Sequence, residues 1–208
     1  VIWEAISAGF TSVMIDASEK DLAENIAVTR QVVETAHQRG VSVEAELGRI
    51  GTTDHVETDE DVEFYTQPGE ARRFVDETGV DALAVSVGTA HGVYQVRQPK
   101  IDYERLKAIH AETPVPLVIH GGSGIPAAML LAAYRLPGGG VSKVNIATDL
   151  EMASLQAMGR TEYLTDAALK ALPREQLRSA QAAVEAVVAE KIREYLGSAG
   201  KALVFGNL

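Results

Sequence analysis

Five short apolar runs recur along the chain, each with polar residues or glycines in or just past its final positions: SVMID (Ser12 to Asp16), VSVEAEL (Val41 to Leu47), ALAVSVG (Ala82 to Gly88), PLVIHGG (Pro116 to Gly122) and VSKVNIA (Val141 to Ala147). Runs of this length bounded by turn formers read as buried strands. The segments between them have a helical period. DLAENIAVTRQVVETAHQRG sets Leu22, Ile26, Val32, Val33 and Ala36 on one face and stops at Gly40, a glycine-ended helix. PGEARRFVDETGV, KIDYERLKAIHAETPV and the stretch from Pro126 repeat the arrangement. This alternation predicts an α/β chain with a parallel sheet and helices outside it.

All five strands end in chemically able or glycine residues: Asp16, Glu46, the GTAHG run, HGGSG and NIATD. A (β/α)8 TIM barrel collects such residues at the carboxyl ends of its strands, so the pattern predicts that fold. Five strands cannot close an eight-stranded barrel, and a complete one needs ~250 residues. The expectation is therefore the last five βα units, with about three more units before Val1, in a single domain spanning 1–208. A doubly wound open sheet is the alternative. The link from Gly48 to Thr66 is polar and acidic, and at more than ~12 residues it is long enough for a lid or binding loop. From about residue 151 to 208 the pattern is almost wholly helical and broken at Pro173.

Composition narrows the partners. With 208 residues, 46% of them hydrophobic, the chain can bury a core of its own. The formal net charge of −10 and the lack of any Lys/Arg stripe argue against nucleic acid. No window reaches the ~20 apolar residues of a membrane span, and no signal peptide opens the chain, so a cytoplasmic protein is expected. Without cysteine, metal chemistry falls to His, Asp and Glu.

Three side chains stand just past successive strands: His91, His120 and Asn145. Neighbouring strand ends in a barrel share one rim, so two imidazoles and an amide are predicted to face one space. Imidazole and carboxylate donors suit a catalytic Zn2+ with an open position. Zinc needs a third protein ligand, expected upstream of Val1; His37 and His110 fall on helices and are expected to face solvent, and His55 lies in the acidic loop. Gly92, Gly121, Gly122 and Gly124, with Ser123 and Thr148, offer backbone N–H groups and hydroxyls where strands hand over to helices, which suits a phosphate.

SVMIDASEKDLAENI, VSVEAELGRIG, AVSVGTAHGVY, PLVIHGGSGIP and SKVNIATDL, in this order from Val1 to Glu151, resemble consecutive motifs of the class II, metal-dependent ketose-bisphosphate aldolases. The resemblance implies a (β/α)8 barrel, homodimeric or homotetrameric, that cleaves fructose or tagatose bisphosphate. It makes His91 and His120 two of three zinc-binding histidines. Asp16 and Glu46 become acidic residues of the metal pocket, where some members hold a second metal or a monovalent cation. It assigns Gly92, Gly121, Ser123, Ala147 and Thr148 to phosphate binding and Asn145 to the reacting end of the substrate. An Asp-His pair on the strand before AISAGFTSVMID, carrying the catalytic acid/base and the first zinc ligand in the family, is not in this sequence. Asp54 is nearest the place of the family's proton-moving loop acid, with Glu57 behind it. Lys143 is expected to point away from the site, which disfavours an imine route, and Arg174 and Arg178 are candidates for the distal phosphate but fit a solvated helix face better. Two other readings stay open: an aldolase-like, non-catalytic subunit that stabilises a partner, and a barrel lyase for another phosphorylated substrate.

Overall fold

The computed structural model describes residues 1–53, 62–94 and 98–202. Among these, five parallel strands form one sheet in strictly sequential order, β1 (Ser12–Ile15), β2 (Ser42–Leu47), β3 (Ala82–Val85), β4 (Leu117–Ile119) and β5 (Val141–Val144). A doubly wound sheet would place its first strand inside the order. A sequential run of parallel neighbours is what consecutive units of an aldolase-like barrel give. Helices α1 (Ile2–Ser7), α2 (Leu22–His37), α3 (Pro68–Thr78), α4 (Tyr103–Glu112) and α5 (Ala127–Tyr134) alternate with the strands. After β5 come α6 (Thr148–Ala157), α7 (Asp166–Lys170), α8 (Arg174–Glu190) and a π-helical turn, Lys191–Tyr195. Four helix starts have a local cause: Asp21, Asp102 and Thr165 accept the backbone N–H three residues on, and Pro68 opens α3, where its missing N–H costs nothing.

Register decides what the two faces of the sheet carry. Val13 pairs with Val43, Ala45 with Leu83, and Leu83 with Leu117; all are buried in the core beneath the helices. The intervening positions, Met14, Glu44, Glu46, Ala84 and Val118, share the opposite face through the pairings Met14–Glu44, Glu46–Ala84 and Ala84–Val118. Parallel strands keep aligned residues on one side, so the helix face is apolar throughout while the other carries the charge.

One irregularity changes this order. Leu117 pairs with Val141 but Val118 pairs with Lys143, so Ser142 is passed over. Strict alternation from the buried Val141 would send Lys143 and Asn145 toward the helices. The extra residue reverses them. Lys143 therefore lies on the Glu44 face, with Nζ 2.9 Å from Glu44 Oε2, which corrects the expectation that it points away from the site.

The carboxyl ends of β2 and β3 are tied by Thr66. Its hydroxyl donates to the Leu47 carbonyl at 2.5 Å and accepts the Ser86 N–H at 2.8 Å, both buried. Thr66→Val keeps the shape but orphans these two groups, and is expected to lower stability by about 2 kcal/mol, read as a lower urea midpoint with unchanged slope.

Candidate active site

His120 follows β4 directly, on the face that carries Glu44 and Glu46. Its Nδ1 lies 2.8 Å from Glu46 Oε2 and its Nε2 lies 3.0 Å from Glu44 Oε1, and all three residues are buried. A carboxylate on each ring nitrogen calls for a proton on each. Burial alone would lower the imidazole's pKa, but the hydrogen bonds it donates to Glu44 and Glu46, and their charges, reverse that and push it up to about 9. Burial likewise opposes the charge on Glu44, yet hydrogen bonds from His120 and Lys143 outweigh it and hold its carboxyl below the usual range. Lys143 also donates to Asn145 Oδ1 at 2.6 Å. A continuous polar chain thus runs Glu46–His120–Glu44–Lys143–Asn145 across β2, the end of β4 and β5.

His91, just past β3, brings the second imidazole; its ring centroid is 6.1 Å from that of His120. Its backbone is fixed by an unexpected partner, the stem of the long acidic link: the His91 N–H donates to Gly51 O at 2.9 Å, and the Thr53 N–H donates to His91 O at 3.1 Å. The His91 ring is open toward the cavity, yet the atoms packed behind it desolvate it. That desolvation, with the positive charge on His120, outweighs Glu46 and Asp16 and keeps the His91 pKa below the ordinary imidazole value. A neutral imidazole is the form that binds metal.

Both rings open into a cavity of about 450 Å3 that also contacts Asp16, Glu46 and Asn145. Asp16 is exposed and accepts the Ser18 N–H at 3.0 Å, and Ser18 in turn donates to Glu46 at 3.3 Å. The same cavity is also lined by Gly92, Gly121, Ser123, Ala147 and Thr148. Gly121 has φ +68°, and a Cβ there would run into the Ala90 carbonyl; at Gly92, with φ +118°, it would meet the Thr53 hydroxyl. The two glycines let the loops after β3 and β4 approach each other and Thr53, which a side chain would prevent. Ser123 is buried and accepts the Asp149 N–H at 3.1 Å, joining the β4 loop to the start of α6. Gly122 departs from its expected role as an anion donor: its N–H is spent on the Asn145 carbonyl at 3.0 Å, and its missing side chain makes room for Val144 and Asn145.

The remaining candidates fall elsewhere. Asp54, Glu57 and His55 lie outside the described residues. Arg174 and Arg178 are exposed on α8 and line no part of this cavity. His37 is exposed and pairs with Asp81 at 2.8 Å, whereas His110 is half-buried against Gly139. One supporting residue escaped notice in the sequence. Asn25, buried on α2, donates to the Glu46 carbonyl at 3.0 Å and accepts from Thr29 at 3.1 Å. An asparagine beside Ile26 on an otherwise apolar helix face was the available signal.

The donor chemistry fits a divalent cation. Two imidazoles sharing one ion through ~2 Å zinc–nitrogen bonds stand about 5 to 6 Å apart by centroid, and carboxylates flank both rings. Among the described residues no group of three His, Asp or Glu side chains completes a ligand shell. In the metal-free protein the sign of the pH dependence follows from His120, whose pKa rises from 6.5 to about 9 on folding. Its stabilisation is complete below about pH 6.5 and is lost as pH climbs through about 9. The urea stability of chelator-treated protein is expected to fall across that window by on the order of 3 kcal/mol, and His120→Asn is expected to abolish the slope.

Comparison with known proteins gives the family and the fold. The family model for class II fructose-bisphosphate aldolase matches residues 1–201. Among solved structures, the YdjI aldolase from Escherichia coli K12 superposes with a TM-score of 0.74 at 35% identity over 97% of this chain. A Coccidioides immitis protein assigned as a fructose-1,6-bisphosphate aldolase gives 0.72 at 32% over 96%. The fructose-bisphosphate aldolase of Campylobacter jejuni shares the fold, with a TM-score of 0.67 at 23% identity over 93%. This chain spans 66%, 67% and 63% of those three chains, so about a third of each relative lies outside the match. The chain belongs to the class II fructose-bisphosphate aldolase family.

Proposed function

We propose that this chain carries the metal-binding and phosphate-binding half of an aldolase that reversibly cleaves a ketose 1,6-bisphosphate, fructose or tagatose bisphosphate, into dihydroxyacetone phosphate and glyceraldehyde 3-phosphate. The five βα units are read as part of a closed (β/α)8 barrel. The observation that carries the proposal is the pair His91 and His120, with ring centroids 6.1 Å apart, lining one cavity together with Gly92, Gly121, Ser123, Ala147 and Thr148. When bound between these histidines, with Asp16 and Glu46 nearby for a second cation, Zn2+ supplies Lewis-acid polarisation of the substrate's ketone and hydroxyl oxygens.

The protein's own groups do the rest. A ligating imidazole needs a free lone pair, so His120 gives up one of its two protons, and the N–H that remains stays on a carboxylate, which fixes the ring. Asn145 has its Oδ1 committed to Lys143; its Nδ2 is left to donate to a substrate oxygen and orient the reacting carbons. The cradle of Gly92, Gly121, Ser123, Ala147 and Thr148 holds one phosphoryl group, so the carbon to be deprotonated is placed rather than searched for. Asp54 is assigned the movement of that proton. Lys143 spends its amine donors on both Glu44 oxygens and on Asn145 and is unsuited to imine formation. Exposed Val188, Ile192 and Leu196 near the C-terminal turn support assembly as a homodimer or homotetramer. No described helix is long and apolar enough to cross a membrane, which is compatible with a cytoplasmic enzyme.

The full chain, together with its longest natural form, is to be assayed for cleavage of both bisphosphates with and without chelator. Activity is expected to vanish on chelation and return with Zn2+, and His91→Asn or His120→Asn is expected to lower kcat by about three orders of magnitude. Turnover that survives chelation, or a borohydride-trapped adduct on Lys143, overturns the proposal. Zinc titration at pH 7.5 in buffers of different ionisation enthalpy is expected to release about one proton per ion, the proton that His120 surrenders.

A further inference from the structure

A carboxylate stands where an anion site should least tolerate one. Asp149 is the second residue of α6, next to Thr148 of the cradle. Its N–H donates to Ser123 Oγ at 3.1 Å, and its own Oδ2 accepts the Gly124 N–H at 3.4 Å. An uncompensated negative charge there opposes a phosphoryl dianion a few ångströms away, in surroundings where screening by water is weak. The compensation comes from the other end of the chain. Lys191, first residue of the π-helical turn, places Nζ 2.5 Å from Asp149 Oδ2, with side-chain exposures of only 14% and 25%.

The turn is built to keep it there. Tyr195 is buried, its hydroxyl donates to the Ile125 carbonyl at 2.7 Å, and its ring lies 3.9 Å from the Lys191 ammonium. One turn therefore grips the loop after β4 through Ile125 and the start of α6 through Asp149, the two segments that carry most of the cradle. Burial alone would lower the pKa of Lys191, but Asp149 outweighs it and raises the ammonium above its ordinary value, so the positive charge is permanent at neutral pH.

We propose that Lys191 is a positioning residue of the phosphate cradle, which neutralises and anchors Asp149 so that a phosphoryl dianion binds beside a carboxylate. The proposal rests on reading the glycine loops as a phosphate site, and the experiment separates the two. Inorganic phosphate is titrated into the full chain at low salt, followed by the amide chemical shifts of Gly121 and Ser123, for the unaltered protein, Lys191→Met, Lys191→Arg, Asp149→Asn and the double variant Lys191→Met/Asp149→Asn. Lys191→Met is expected to weaken binding about tenfold or more, Lys191→Arg to hold it within about threefold, and the double variant to regain it within about threefold of the unaltered protein. A merely structural clasp would not be rescued by removing its partner's charge.

No saturable shift in the unaltered protein overturns the cradle reading and this inference with it. If phosphate binds but Lys191→Met binds equally well, or the double variant is as weak as Lys191→Met, the cradle stands and the inference falls. Should Lys191→Met fail to fold, Asp149→Asn decides, since the inference requires it to bind at least as tightly as the unaltered protein and weaker binding overturns it.

Discussion

The site is organised by a single buried imidazole that two carboxylates share. Glu44 and Glu46 lie two residues apart on β2, and the period of a strand puts both on the same face. Two like charges buried so close together would repel strongly and lose their water. His120, coming off the end of β4 with a proton on each nitrogen, satisfies both, and Lys143 takes up what remains of Glu44. The network stays within the limits of a buried polar cluster because each member has a partner. The positive charge between the two carboxylates is carried by the ring of His120.

The loops around this network hold one another rather than standing free. The stem of the acidic link is hydrogen-bonded to both sides of the His91 backbone. Gly121 sits against Ala90 and Gly92 against Thr53, so the loops after β3 and β4 and the segment up to Thr53 form one interlocked layer. The His91 backbone is tied on both sides, to Gly51 and to Thr53. The C-terminal turn closes the layer on its far side through Ile125 and Asp149.

Much of this was legible in the chain. The five strands, their parallel pairing, the helices between them and the convergence of His91, His120, Asn145 and the glycines all follow from apolar runs ending in functional residues. The strands are shorter at their carboxyl ends than the apolar runs, because Val87, Ile146 and their neighbours belong to the loops that build the cavity. Asn25 was hidden because a lone asparagine in an amphipathic helix looks like any solvated position until its partner, a carbonyl on β2, is known. Glu44 carried no signal beyond that of a charged residue in an apolar run, although its burial is central to the site.

Local order in the sequence determined the elements, their alternation and which residues lie at strand ends, since these depend only on the periods of helix and strand and on where glycine and proline interrupt them. The tertiary structure alone decided the orientation of β5 and the fate of its polar residues. Alternation counted from Val141 turns Lys143 outward, and only the skipped Ser142, fixed by pairing with β4, turns it in. It also decided that Gly122 gives its N–H to Asn145 rather than to a ligand, and that Lys191 reaches Asp149. Contacts between residues far apart in the chain depend on register and packing, and no local pattern encodes them.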